Sequence, residues 1–425
     1  MLTLPPAWIP TFHDIKDGAM QSPFLDILLY AHDGRGTGHV SRSAAIGMAL
    51  RRLYPDLRVL LVTGSARVAE LIGEAPLDCC KLPSYATSVV GGVSCGAPGP
   101  SGFGDKELGH IREHMIADLV GYLHPRIFLA DHTPQGKHKE LVPALRTSSP
   151  DTQYYLGVRA VVGSVGKVFS PLSAELFKQY YDGLIWYGDS SVLGPEEPAR
   201  LQAHYGRAPW EAGYVSRMKE LEAWGSVPGG ESAGVSSECG RLAGVAALSW
   251  NDANSPRILE YLVRVAMRGN AGGRWRIYTD LTGQDMQTAI CRCRELQGER
   301  SVCELRPFGA AYHNDIRRAD MAVVYGGYNS LTDVMACNIP CMVLLRGMQD
   351  QEQERHVELL SHRIPTFCSL DAANTTLEQF VSTLESVQQA QAGNISVNLD
   401  GAGNAARMLA RTLQVLKEGD SDNGF

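Results

Sequence analysis

The stretch Ile27–Leu53, ILLYAHDGRGTGHVSRSAAIGMALRRL, decides the reading of the whole chain. Ile27–Ala31 is an apolar run that reads as a buried strand. A turn with Gly34, Gly36 and Gly38 follows, then His39. Beyond it Ile46, Leu50 and Leu53 fall at helical spacing. Strand, glycine turn and helix start together form an anion cradle: the turn exposes backbone N–H groups and the helix start carries partial positive charge. A histidine at its mouth can move protons near neutral pH.

Two common loops of this type do not fit. A dinucleotide fingerprint GxGxxG needs glycine where His39 stands. It also needs an acid after the second strand, yet Val59–Val62 runs into Thr63-Gly64-Ser65. A P-loop needs Gly-Lys-Ser/Thr, whereas Gly38 precedes His39-Val40. A plain βα turn with a solvent-facing histidine is the competing explanation.

Working outward, strands and helices alternate, which predicts parallel sheets covered on both faces. Strands are expected at Ile127–Asp131, Gln153–Val158 and Leu184–Tyr187, with helices at Lys106–Tyr122, Lys139–Leu145 and Ala174–Tyr181. Lys81–Ala86 and the small-residue stretch Gly91–Gly104 read as loop, the latter a candidate lid. Gly225–Gly240 is glycine-rich and reads as a linker. A second α/β series follows, and Gly403–Leu416 forms a closing amphipathic helix before a frayed tail. The 425 residues are too many for one core. The expected units are residues 1–225, a linker at 226–240, a second domain at 241–400, and the closing helix and tail at 401–425. Ligands of such paired sheets sit beyond the carboxyl ends of the strands, in the cleft between the domains.

A second constellation repeats the first. The strand Met321–Val324 enters Tyr325-Gly326-Gly327-Tyr328-Asn329-Ser330 and a helix expected to hold Asp333 in its first turn. Gly326 and Gly327 let backbone approach a ligand, Asn329 or Ser330 can cap the helix, and Asp333 can accept from a ribose diol. A capped helix with an acid near its start explains the same residues. Further on, Asp350, Glu352 and Gln353 offer the acceptors and donors that sugar hydroxyls need, or simply form a solvated helix start.

The net charge of −7 and scattered Lys and Arg argue against a nucleic-acid partner. No apolar run approaches about 18 residues, so no transmembrane helix is expected, and the N-terminus does not read as a secretory signal. Ten cysteines without a CxxC pair suit reduced thiols, and with them a cytoplasmic location, better than disulfides or zinc.

The strand–GxGTGHV–helix and strand–GGYNSLTDV–helix pair, with the later DQEQ tract, resembles the GT-B glycosyltransferases of family 28, which include the N-acetylglucosaminyltransferase that makes lipid II. It is most similar to predicted bacterial glycosyltransferases with a GxGHxxR loop, here Gly36 to Arg42. The similarity runs from about Asp26 to Glu358, through Lys81-Leu82-Pro83-Ser84, Asp131-His132 and Leu156-Gly157-Val158-Arg159. The resemblance implies an α/β GT-B fold of two doubly wound Rossmann-like domains across a cleft. It implies an inverting, metal-independent transfer of sugar from a nucleoside-diphosphate donor, UDP or dTDP, with no further cofactor. By the same resemblance His39 is the base, and Phe308-Gly309 pack against the nucleobase. Gly36 and Gly38 line the donor cradle, with Gly326, Gly327, Asn329 and Ser330 at the diphosphate. Asp333 takes the ribose, and Glu352 and Gln353 take the donor sugar. Asp131, His132 and Arg159 are expected on the acceptor side, or as an ion pair at a sheet edge.

One departure is Ser249-Trp250-Asn251-Asp252-Ala253-Asn254, where relatives carry a glycine-rich loop; Asp252 there would repel a diphosphate, while Asn254 or Ser255 can cap the next helix and Pro256 open it. The N-terminal half shows no obvious apolar patch for a lipid acceptor, though peripheral membrane contact stays open. The GxGHxxR stretch also resembles the UDP-sugar hydrolase of the pseudaminic-acid pathway, so hydrolysis by the same His39 loop is the alternative. The altered loop motivates a third reading, a non-catalytic nucleotide-sugar-binding protein.

Overall fold

The computed structural model describes residues 25–32, 36–90, 93–97, 100–147, 149–163, 166–225, 242–248, 254–268, 273–347, 349–390 and 396–422. The first unit opens with β1 (Ile27–Ala31), α1 (Gly38–Leu53), β2 (Val59–Thr63), α2 (Val68–Ile72) and β3 (Asp78–Lys81). An antiparallel hairpin, β4 (Ala86–Val90) and β5 (Val93–Ala97), precedes the long α3 (Asp105–Leu123). Then come β6 (Ile127–Asp131), α4 (Val142–Thr147), β7 (Gln153–Arg159), α5 (Pro171–Tyr180) and β8 (Gly183–Tyr187). The unit ends in α6 (Ser190–Leu193), α7 (Glu196–Tyr205), β9 (Trp210–Glu211) and α8 (Arg217–Ala223).

The second unit runs β10 (Gly244–Leu248), α9 (Ser255–Met267), β11 (Trp275–Thr279), α10 (Gly283–Gln297), β12 (Cys303–Pro307) and α11 (Ala310–Arg318). It continues through β13 (Ala322–Tyr325), α12 (Tyr328–Cys337), β14 (Cys341–Leu345), α13 (Glu352–Ser361), β15 (Phe367–Asp371) and α14 (Leu377–Gln389). The last helix, α15 (Gly401–Asp422), returns to pack on α1 of the first unit.

The sheets have the strand orders β3-β2-β1-β6-β7-β8-β9 and β12-β11-β10-β13-β14-β15, and their pairings are parallel. β1, β6, β8 and β10 are buried at every residue, as apolar runs covered on both faces require. Alternate residues of the second sheet divide between two cores. Val245, Ala247, Ala322 and Val324 join the core shared with the first unit, while Ala246, Leu248, Val323 and Tyr325 face the other way. The two units therefore meet over apolar surface.

α1 is buried from Val40 to Leu50 because it lies between the sheet and α15. Its small residues allow this: a Cβ on Gly47 would strike Leu77 and come within 3.0 Å of Leu29. Ile46, Met48 and Leu50 are fully buried, each contributing about 1.5–3 kcal/mol of apolar transfer.

Several sequence expectations need correction. Ala86 and residues 93–97 belong to the β4–β5 hairpin and Lys81 ends β3, because small and β-branched residues here pair as strands instead of looping. α15 runs to Asp422, so most of the tail expected to fray is helical. The linker at 226–240 and the loop at 249–253 lie outside the described residues. Ser255, not Pro256, opens α9, and Asn254 precedes it without a side-chain cap. Ser255 Oγ instead lies 2.9 Å from the Tyr325 hydroxyl.

Candidate functional site

In each sheet the strand order reverses direction at one place, between β1 and β6 and between β10 and β13. Loops leave those neighbouring strands to opposite sides and open a crevice at the carboxyl ends. At the first reversal stand His32, just after β1, and His39 in the first turn of α1. Asp131, the last residue of β6, and His132 complete it. The register that sets Ile27 beside Ile127 carries both strand ends to the same level.

His39 Nδ1 lies 2.5 Å from Asp131 Oδ2. Two unprotonated acceptors do not approach so closely, so we assign the proton to Nδ1 and leave Nε2 bare. Asp131 is held in turn by Arg42, whose Nε donates to Oδ1 at 3.2 Å and Nη2 to Oδ2 at 2.8 Å. Arg42 and Asp131 are 2% and 1% exposed. Each would be costly alone, and the pair offsets that cost. Arg42 Nη2 stands 3.0 Å from His39 Nδ1, but with the proton on Nδ1 it directs its hydrogen to Asp131 Oδ2.

Burial holds the His39 imidazole well below the usual histidine range, with Arg42, Arg159 and Lys137 adding to the effect. The charge of Asp131 is offset by Arg42, so its contact orients the ring without making it cationic. A neutral, oriented imidazole with one free lone pair is the chemistry of a general base.

Two more histidines line the place. The His32 and His39 ring centroids are 3.9 Å apart, and those of His39 and His132 are 5.0 Å apart. Burial, then neighbouring charges, holds both His32 and His132 well below the usual range. His132 has φ +81°, a conformation that costs a non-glycine residue about 1–3 kcal/mol and clusters at functional sites. Nδ1 of His32 and of His132 are buried without a hydrogen-bond partner among the described residues. Such atoms cost about 1–3 kcal/mol when left unmet, so they mark polar lining that a ligand group can engage. Sequence reasoning passed over His32 and Arg42 as site residues, although both sit inside the quoted motif; Arg42 falls one helical turn after His39, which was the available signal.

At the second reversal β13 leads into α12, which begins at Tyr328 after Gly327. Neither Asn329 nor Ser330 caps the helix by its side chain, because both lie inside it. Asn329 Nδ2 instead donates to the Gly38 carbonyl at 3.4 Å, joining the two glycine turns across the domains. Arg42 lies over the Tyr328 ring at 5.3 Å. Among the described residues a Cβ at Gly36, Gly309 or Gly327 would meet nothing within 4 Å, and at Gly38 only the end of Arg42. These glycines leave open space in front of backbone instead of serving internal packing. Gly326 is different: a Cβ there would press on Leu345 and Gln353.

Asp333 is in the second turn of α12, not the first, because the helix starts at Tyr328. Burial pushes its carboxyl up to about 7 against the opposing pull of Arg217. Arg217 Nη2 also donates to His313 Nε2. Glu352, expected at the donor sugar, pairs with Arg159, expected on the acceptor side, so one ion pair spans the domains. The alternative ion pair of Asp131 and Arg159 does not form, because Asp131 is held by Arg42 and Arg159 by Glu352. Beside it Gly163 lies against the Asp350 carbonyl, leaving no room for a Cβ. Gln353 Oε1 is buried without a partner among the described residues. Phe308 packs with Tyr278 and Tyr312, and its carbonyl accepts from Arg67 Nη2 at 2.6 Å, another contact between the units. No helix among the described residues is long and apolar enough to cross a membrane.

No protein-family model matches the chain, and no curated protein does. Solved structures match it over nearly the whole length. A Listeria monocytogenes protein assigned as a UDP-N-acetylglucosamine 2-epimerase aligns with TM-score 0.60 at 13% identity, covering 92% of this chain and 97% of that one. The Staphylococcus aureus protein MnaA, solved with UDP, aligns with TM-score 0.57 at 12% identity, covering 93% and 97%. The spinosyn rhamnosyltransferase SpnG aligns with TM-score 0.51 at 13% identity, covering 92% and 96%. At these identities the likeness is one of fold: two parallel-sheet α/β units in the GT-B arrangement.

Proposed function

We propose that the chain is an inverting, metal-independent glycosyltransferase that uses a nucleoside-diphosphate sugar, with His39 as base. The observation that carries this is the Arg42–Asp131–His39 network at the β1–β6 reversal, beside the start of α12. In the proposed reaction the acceptor hydroxyl or amine attacks the anomeric carbon, and His39 Nε2 takes its proton. The carbon–oxygen bond to the diphosphate breaks in line, and its electron pair leaves with the nucleoside diphosphate. Backbone N–H groups at the α12 start, around Gly327 to Ser330, meet the charge that develops there. Phe308 would flank the base, Asp333 the ribose, and Gln353 the sugar. UDP or dTDP is the proposed nucleotide; the UDP bound to MnaA and the rhamnosyl transfer named for SpnG agree with a nucleotide-sugar substrate.

A second reading keeps the same base but needs no acceptor. The Arg159–Glu352 pair draws the domains together where the acceptor is expected, which favours chemistry on the donor alone. His39 would then act on water, as in a hydrolase, or on a sugar C–H, as in the 2-epimerase class named for the Listeria relative.

The test is release of free nucleotide from UDP-, dTDP- and GDP-sugars, with and without extract acceptors, for wild type and His39→Ala. Release that needs extract and disappears in the variant supports transfer. Release or sugar isomerisation in buffer alone, also lost in the variant, selects the second reading. Nucleotide binding without turnover of any donor, with or without extract, counts against both.

A further inference from the structure

The outward face of α3 carries a cluster that the proposed reaction does not use. His110, Glu113 and His114 occupy positions i, i+3 and i+4, so one helical turn presents all three side chains together. The two histidines are 72% and 64% exposed. One ligand atom from each of the three residues lies within 4.8 Å of the others.

The hydrogen bonds set both imidazoles the same way. His114 Nδ1 donates to the His110 carbonyl at 2.8 Å, which leaves its Nε2 bare. His110 Nδ1 lies 2.7 Å from Glu113 Oε1, which places the proton on Nδ1 and leaves that Nε2 bare as well. A carbonyl or carboxylate on one ring nitrogen is what orients a histidine for a metal on the other. The rings meet edge to face with centroids 4.4 Å apart. On the inward side of the same turn Arg112 is fully buried, with its Nε 2.7 Å from Glu140 and its Nη1 2.8 Å from the Pro83 carbonyl. That anchor fixes the backbone and so preorganises the outer face.

We propose that His110 and His114, oriented by Glu113, form a surface site for a borderline divalent transition-metal ion of the zinc and nickel class, outside the cleft. Two imidazole nitrogens suit such ions and do not suit magnesium or calcium, which take oxygen ligands. The remaining coordination positions face solvent and are open to water.

The test is zinc titration of the full chain, stripped with chelator, in competition with a chromophoric zinc indicator. Wild type should bind one more zinc per chain than His110→Ala/His114→Ala, and nickel but not magnesium should displace it. Glu113→Gln should weaken that site about tenfold, the usual effect of losing an orienting partner. The altered side chains point to solvent, and circular dichroism verifies the fold. Equal zinc stoichiometry and affinity in wild type and the double variant, or no zinc bound by wild type, overturns the proposal.

Discussion

The two glycine turns share one local plan and differ in what surrounds them. Both follow an interior strand at the place where strand order reverses, and both open a helix that lacks a side-chain cap. The first is ringed by a buried charged network, because β6 ends beside it and delivers Asp131. The second has no acid in its first helical turn; its acid, Asp333, lies a turn deeper near Arg217. The same βα grammar thus makes a glycine turn in both units, and in the proposed reaction the neighbouring strand end decides which of them carries proton chemistry and which offers only backbone to an anion.

The strongest way to break this contrast is His39→Gln. We expect a loss of about 10²–10⁴ in turnover with nucleotide affinity nearly unchanged, read by steady-state kinetics and calorimetry. A variant with wild-type turnover would remove the distinction between the two turns.

Asp131→Ala leaves the Arg42 guanidinium buried without its carboxylate. It should cost about 3–5 kcal/mol in urea denaturation, well beyond what Ser330→Ala in the second turn costs. A loss below about 1 kcal/mol would mean that the network does not hold the first turn together.

Arg42→Met sharpens the electrostatic side. Removing the cation lets Asp131 favour the imidazolium, so the His39 pKa rises. The acid limb of kcat/KM should therefore move to higher pH; an unmoved limb would separate Arg42 from the base. Ser330→Ala should raise the donor KM by up to about tenfold with kcat held, the size of one hydrogen bond of about 1 kcal/mol or slightly more.

A pH-dependent effect is expected at Asp333. Burial raises its carboxyl from 3.8 to about 7, so between those values the folded chain holds a proton that the unfolded chain releases. This group's contribution to stability therefore falls as pH rises from about 4 to 7. Asp333→Asn should flatten the melting temperature across that window, and an unchanged slope would place the carboxylate in a more polar setting than its burial indicates.

Much of the fold was legible because its signals are local. The apolar run Ile27–Ala31 and the expected strand Ile127–Asp131 coincide with β1 and β6. Continuous apolar character suffices for strands covered on both faces. The β4–β5 hairpin was missed because its Gly and Ser residues dilute the strand pattern, and pairing with a partner strand is what fixes them. Within the site, His39 stood out from its place in the quoted turn. Nothing local marked Glu352 as the partner of Arg159, 193 positions away.

The sequence by itself determined where strands end in glycine turns and which side chains stand at those ends, since both follow from short-range periodicity and turn chemistry. Tertiary structure alone decided the partners: Asp131 reaches His39 across 92 positions because β6 pairs with β1, and Arg159 meets Glu352 because the two sheets dock. Strand order and domain docking are set by the total burial of apolar faces, a sum over the whole chain that no single segment contains.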